Sequence, residues 1–215
     1  MLNFIEKKPK NKNNDTYLVI FLHGYGSDAN DLMSLSNEFS DEFNNIHYIS
    51  AEAPFLCEAG FGYQWFSLQD ITPSAIISSI TNNYKILEDF IEEQSKRLQI
   101  NYDHIFLLGF SQGAMMSLFA GIRLKSKLAG IIALSGLLAE TVESMDKNLK
   151  TKQKILMIHG SSDQVVPYKY FLDSKEIFEK YNFDITSKTI YGMEHSINEE
   201  VIDLIKTFLH SIINN

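Results

Sequence analysis

Ile105-Phe-Leu-Leu-Gly109-Phe-Ser111-Gln-Gly113-Ala-Met-Met-Ser-Leu-Phe-Ala120 decides the fold of this chain. The apolar run ending at Gly109 predicts a strand, and the pattern from Gly113 onward predicts a helix. Ser111 stands at the turn between them, in the arrangement Gly-x-Ser-x-Gly. A serine at so sharp a strand-to-helix turn has a strained backbone and an exposed hydroxyl. Side chains at Gly109 and Gly113 would collide with the neighbouring strand and helix. The helix points its amide-rich N-terminus toward the serine and favours developing negative charge there. The bare pattern arises by chance in about one chain of this length in fifteen. Its seat between strand and helix, together with two partner loops, sets it apart. Ser111 is read as a nucleophile, against the alternative of an ordinary serine in a tight turn.

Strands and helices alternate outward from this point. Tyr17–Leu22, Gly130–Ser135 and Lys154–Ile158 are continuous apolar runs, the pattern of strands buried on both faces. Ile46–Ser50 is a weaker strand, and Ile185–Ile190 alternates like an edge strand. Helices are predicted over 30–43, from an N-cap at Thr72 with Pro73 in the first position to Leu98, and over 169–181. Residues 140–150 suit a short helix, and a capping box of Ser196 and Glu199 starts the last one. The fold class expected is α/β: a mostly parallel central sheet with helices on both faces, in one domain over 17–215. Residues 1–16 read as a polar, solvated lead-in, with Phe4 and Ile5 as a short edge strand. Ligands of such sheets bind beyond the carboxyl ends of the strands. Tyr25, Ser111, Asp163 and His195 all lie in loops at that end.

The bulk properties exclude several classes. The 215 residues suit one sizeable domain, and 45% hydrophobic with 21% charged residues is a globular composition. A net charge of −8 offers no basic face, so no nucleic-acid partner is expected. Arg97 and Arg123 are the only arginines, which argues against a bidentate phosphate clamp. No apolar run approaches the roughly 20 residues of a membrane span, and the first residues lack the apolar core of a signal peptide. A lone cysteine, Cys57, fits a reducing compartment, so a cytoplasmic protein is expected. No metal cluster or cofactor fingerprint is visible, and neither a metal nor a cofactor is expected.

A nucleophilic serine needs a base, and the base needs an orienting acid. His210 falls in the last helix, His104 before the nucleophile strand and His47 at a strand start. His23 and His159 end strands but precede glycines, so they are read as shaping their turns. His195, in a glycine-containing loop before the last helix, is the base expected. Asp163 follows a strand between Gly160 and Pro167 and is the acid expected; Asp184 opens a strand at the wrong end. The chain order Ser111, Asp163, His195 is that of this topology.

Four motifs carry a resemblance: Leu22-His-Gly-Tyr-Gly-Ser-Asp28, Gly109-Phe-Ser-Gln-Gly113, His159-Gly-Ser-Ser-Asp-Gln-Val-Val-Pro167 and Gly192-Met-Glu-His195. From about residue 17 onward they resemble the phospholipase/carboxylesterase family of α/β-hydrolases, which includes acyl-protein thioesterases and small bacterial carboxylesterases. The resemblance implies Ser111 as nucleophile, His195 as base and Asp163 as acid. It also implies an oxyanion hole from the backbone N–H groups of Tyr25 and Gln112. Tyr25 departs from a frequent leucine and Glu194 from a frequent glycine.

The activity expected is hydrolysis of carboxylic ester or thioester bonds through an acyl-enzyme. Small-molecule or lipid-like acyl substrates fit, an acylated protein among them. The connection 51–71 is rich in aromatics, and Trp65 and Phe66 are read as walls of an apolar substrate pocket, with Val166 beside them. The alternative for Trp65 is a cover over the core. A peptidase on the same fold and a non-catalytic ligand-binding module are the rival functions; the intact trio argues against the second. The resemblance further implies a monomer or weak homodimer.

Overall fold

The computed structural model describes residues 2–12 and 15–214. Among them, seven strands form one sheet. They are β1 (Phe4–Lys7), β2 (Tyr17–Leu22), β3 (Ile46–Ala51), β6 (Ile105–Phe110), β7 (Gly130–Leu134), β8 (Lys154–Gly160) and β9 (Asp184–Ile190). Their spatial order is β1-β3-β2-β6-β7-β8-β9. Every pairing is parallel except that of β1 with β3. A small separate hairpin pairs β4 (Phe55–Leu56) with β5 (Tyr63–Gln64).

Side chains of a strand alternate between its two faces, and here both faces are covered. Leu18, Ile20 and Leu22 of β2 join one core, with Ile105 and Leu107 of β6. Val19 and Phe21 join the other, with Phe106 and Leu108. The first core is closed by α3 (Pro73–Leu98), α4 (Gln112–Gly121), α5 (Val142–Asn148) and α6 (Tyr168–Lys180). The second is closed by α1 (Ala29–Met33), α2 (Ser36–Phe39) and α7 (Glu199–Ile213). That double burial is why the strand sequences read as unbroken apolar runs. The expected parallel α/β sheet is the one observed, with β9 at an edge and alternating as expected.

Three local readings change. The helix expected over 30–43 is two short helices, α1 and α2. Between them the chain tightens at Ser34 and Leu35, where Leu35 N donates to Leu32 O at 3.1 Å. Thr72 is the N-cap of α3, but its side chain makes no capping bond. The last helix is capped by Asn198, whose Oδ1 accepts from Val201 N at 3.0 Å. Ser196 is instead spent in the preceding turn, its N–H donating to Glu194 O, and Glu199 becomes the first helical residue.

Part of the expected lead-in is built into the sheet as β1, longer than the Phe4-Ile5 pair anticipated. Glu6 Oε2 accepts from Arg97 Nη2 at 2.7 Å and His47 Nε2 at 3.0 Å, which ties β1 to α3 and β3. Lys7, expected to be solvated, donates to Asn37 Oδ1 and Ser40 Oγ. Met1, Asn13 and Asn14 of the expected lead-in, and Asn215 of the expected domain, lie outside the described residues.

Candidate active site

β6 is a central strand, and its carboxyl end delivers the Gly-x-Ser-x-Gly turn into α4. Ser111 has φ 54° and ψ −116°, a conformation that costs an L-residue about 1–3 kcal/mol. Its neighbours over-determine it. Ser111 N donates to Leu134 O at 2.8 Å, and Ser111 O accepts from Ala114 N and Met115 N. A Cβ on Gly109 would lie 2.3 Å from the Gly113 carbonyl, and one on Gly113 would lie 1.9 Å from Leu22 O and 2.8 Å from His23 O. Both glycines are required by close approach, as their spacing predicts. The same approach brings the turn into backbone contact with the loop that starts at His23. The Ser111 side chain does not cap its own helix.

Asp163 lies in the loop after β8, its carboxylate fully buried. Oδ1 accepts from Val165 N at 2.9 Å and Val166 N at 2.8 Å. Oδ2 is 2.8 Å from His195 Nδ1. A carboxylate only accepts, so the proton of this bond sits on Nδ1 and leaves His195 Nε2 as an acceptor. Main-chain bonds hold the two loops together: Ser161 N donates to Ile190 O and Ser162 N to Met193 O, both at 3.0 Å. The His195 ring packs on Phe110, the residue before Ser111, with ring centroids 4.8 Å apart. The structure therefore brings Asp163 and His195 into a hydrogen-bonded pair beside the serine turn. Among the described residues, no hydrogen bond joins Ser111 Oγ to His195. Such bonds are commonly long before substrate binds.

Tyr25 and Gln112 head the two segments that meet at Ser111. Among the described residues, neither backbone N–H has an acceptor within the protein. Each peptide is fixed through its carbonyl instead. His23 Nε2 accepts from Ala53 N at 3.0 Å, so its Nδ1 carries the proton and donates to Gly24 O at 2.7 Å. In a planar trans peptide the Tyr25 N–H points opposite to Gly24 O. The bonded Ser111 carbonyl turns the Gln112 N–H away from α4 in the same manner.

Trp65 and Phe66 are not open pocket walls. Trp65 is 1% exposed, and both side chains belong to the core beneath α3 and α4. The Trp65 indole N–H donates to His23 O at 2.9 Å, which directs the ring inward. The large apolar side chains that the segment exposes are Phe55, Leu56, Phe61 and Ile71, with Leu56 at 79% the most open. Val166 is half-buried, and its carbonyl accepts from His159 Nε2 at 2.8 Å. A role missed in the sequence belongs to the Gln112 side chain, buried with both ends bonded to backbone: Oε1 to Trp65 N and Nε2 to Phe66 O. The x position of the serine motif carries no rule that would have revealed it.

His23 and His159 shape their turns, as their positions before glycine predict. Burial pushes both imidazoles, and that of His47, below the ordinary histidine value. The folded chain therefore binds fewer protons than the unfolded one. The contribution to stability is complete above the free value of about 6.5 and is lost as pH falls through the lower folded values. A thermal midpoint that falls steadily from about pH 7 to about pH 5 is expected; a flat profile over this range would contradict the burial of these rings. Among the described residues, no group of three or more metal-ligating side chains is present, and no helix is long and apolar enough to cross a membrane.

Comparison with known proteins bears on this geometry. A sequence model of the family described as Phospholipase/Carboxylesterase matches residues 4–213. The chain is 32% identical to acyl-protein thioesterase 1 of Neurospora crassa over 213 residues, 90% of this chain and 86% of that protein. Acyl-protein thioesterase 1 of Candida albicans is 28% identical over 221 residues, 95% of this chain and 96% of that protein. The crystal structure of esterase PE8 superposes with a TM-score of 0.92 at 30% identity, covering 98% of this chain and 99% of that one.

Proposed function

Because the chain belongs to the phospholipase/carboxylesterase family, an ester- and thioester-hydrolysing class of enzymes, we propose that it works through a triad of Ser111, His195 and Asp163. The observation that carries this reading is the 2.8 Å bond from His195 Nδ1 to Asp163 Oδ2, with the imidazole against Phe110 beside the strained Ser111. Ser111 Oγ attacks the acyl carbon while His195 Nε2 takes its proton. The carbonyl electron pair moves onto oxygen, and the N–H groups of Tyr25 and Gln112 hold the oxyanion. Collapse of the tetrahedral intermediate breaks the bond to the alkoxide or thiolate, which leaves with the proton from His195. Water activated by the same nitrogen then releases the acid and restores Ser111. The names of the relatives support thioesters of acylated proteins as substrates beside simple esters and lipid-like acyl esters. A monomer or weak homodimer in the cytoplasm, using no cofactor, belongs to the same reading.

The test is labelling of the native protein with a fluorophosphonate, followed by mass spectrometry of the tagged peptide. A tag on Ser111 that is lost in His195→Ala is expected, and a chain-length series of esters and thioesters then defines the acyl group. Folded protein that takes no tag would overturn the hydrolase mechanism and return the binding module to consideration.

A further inference from the structure

The four residues Tyr63–Phe66 touch both segments that carry the proposed oxyanion donors. Toward the Tyr25 loop, Tyr63 O accepts from Gly26 N at 2.9 Å and Tyr63 N donates to Ser27 O at 2.8 Å. The Trp65 indole holds the other end of that loop through His23 O. Tyr25 thus lies between two anchor points on one short segment. Toward the serine turn, Trp65 N donates to Gln112 Oε1 at 2.8 Å and Gln112 Nε2 donates to Phe66 O at 2.7 Å. The two backbone donors sit on loops 87 residues apart in sequence, from 25 to 112. The segment Tyr63–Phe66 spans them.

Resting on the oxyanion hole of the preceding section, we propose that Tyr63–Phe66 is a strap that sets the separation and angle of the two donors. The Gln112 side chain is its positioning residue at the serine end. The chemistry favours such a device. An oxyanion hole acts only if its donors are already aimed where charge develops. A misplacement of about 1 Å costs about 10²-fold in rate. A side-chain amide suits the link because it presents one acceptor and one donor together, and here both are used on adjacent residues of the strap. At the far end a Cβ on Gly62 would lie 2.1 Å from Gly26 O, and Gly62 has φ +63°. Gly62→Ala therefore pushes the strap off the Tyr25 loop, whereas Gln112→Met keeps volume and removes both bonds at the serine end.

The experiment is a double-mutant cycle on Gln112→Met and Gly62→Ala. Rates are scaled to active sites counted by fluorophosphonate tagging, and inhibition by a substrate-like trifluoromethyl ketone is measured in parallel. That ketone adds to a nucleophilic serine and forms an oxyanion. Gln112→Met is expected to lower kcat about 10²-fold with KM little changed, and to weaken the ketone by the same factor. Once either link is cut, the second should cost little more, so the double variant should match the slower single one. A merely structural role lowers the count of active sites and leaves kcat per site unchanged; that result, or additive losses, would overturn the strap. Should Gln112→Met or Gly62→Ala fail to fold, Gln112→Glu decides alone. It keeps the acceptor for Trp65 N, so a smaller fall in kcat and ketone affinity supports the strap and unchanged values overturn it. A parent protein that takes no tag on Ser111 removes the hydrolase mechanism itself, and with it the strap. A tagged parent with unchanged Gln112→Met kinetics removes the strap alone.

Discussion

Ser111→Ala should lower kcat by about 10⁶-fold, the scale on which serine hydrolases lose activity with their nucleophile. The size follows from what is removed. No other described hydroxyl occupies the turn between β6 and α4, and the proposed oxyanion donors could then only assist attack by water. The fold should not notice. Ser111 Oγ does not cap α4, and the bonds that fix the turn come from the main chain, which alanine keeps. A change within about 0.5 kcal/mol is expected, or about 2 °C in Tm for a chain of this size. The measurement is turnover of a short-chain ester beside a thermal melt. Turnover above about a hundredth of the parent rate, at unchanged Tm, would place the chemistry elsewhere.

Asp163→Asn should cost about 10⁴-fold in kcat, the scale of the same substitution in a Ser-His-Asp protease. Oδ1 of Asp163 accepts from Val165 N and Val166 N, so an asparagine would keep its oxygen there. Its NH₂ group would then face His195 Nδ1, where the carboxylate now accepts. The imidazole would have to carry its proton on Nε2 and could no longer take one from Ser111. The NH₂ would also confront His159 Nε2, now 3.3 Å from Oδ2 and itself a donor to Val166 O. Flipping the amide rescues the imidazole only by leaving two loop N–H groups without an acceptor. Stopped-flow acylation measured against pH separates this from simple unfolding: the folded variant should acylate slowly at every pH. Rapid acylation in folded Asp163→Asn would show that the acid orients nothing.

The sheet was legible because its physics is local. Strands buried on both faces are continuous apolar runs, and β2, β6, β7 and β8 all obey this rule. The loops after β6, β8 and β9 then carry Ser111, Asp163 and His195 in the chain order expected. What stayed hidden depends on choices between near-equal local bonds or on distant partners. Asn198 rather than Ser196 caps α7 because the helix begins at Glu199, which puts the Asn198 Oδ1 within reach of Val201 N. A tightened turn at Ser34 and Leu35 splits one expected helix into two. The aromatics of the segment 51–71 announce burial without saying which way each ring turns, and Trp65 turns inward toward His23 O. The Gln112 side chain meets partners 46 and 47 residues upstream, a pairing that no spacing rule contains.

The bonds between the acid loop and the histidine loop have a consequence for how this enzyme can diverge. Ser161 N to Ile190 O and Ser162 N to Met193 O are main-chain contacts, indifferent to the side chains around them. Tyr191 and Glu194, between and beside these contacts, project into solvent. The rim of the site can therefore exchange bulk and charge from one descendant to the next while the imidazole keeps its bearing. Exchanges at Tyr191 and Glu194 are expected to leave the Asp163–His195 bond in place, so that this rim can drift without loss of the pair.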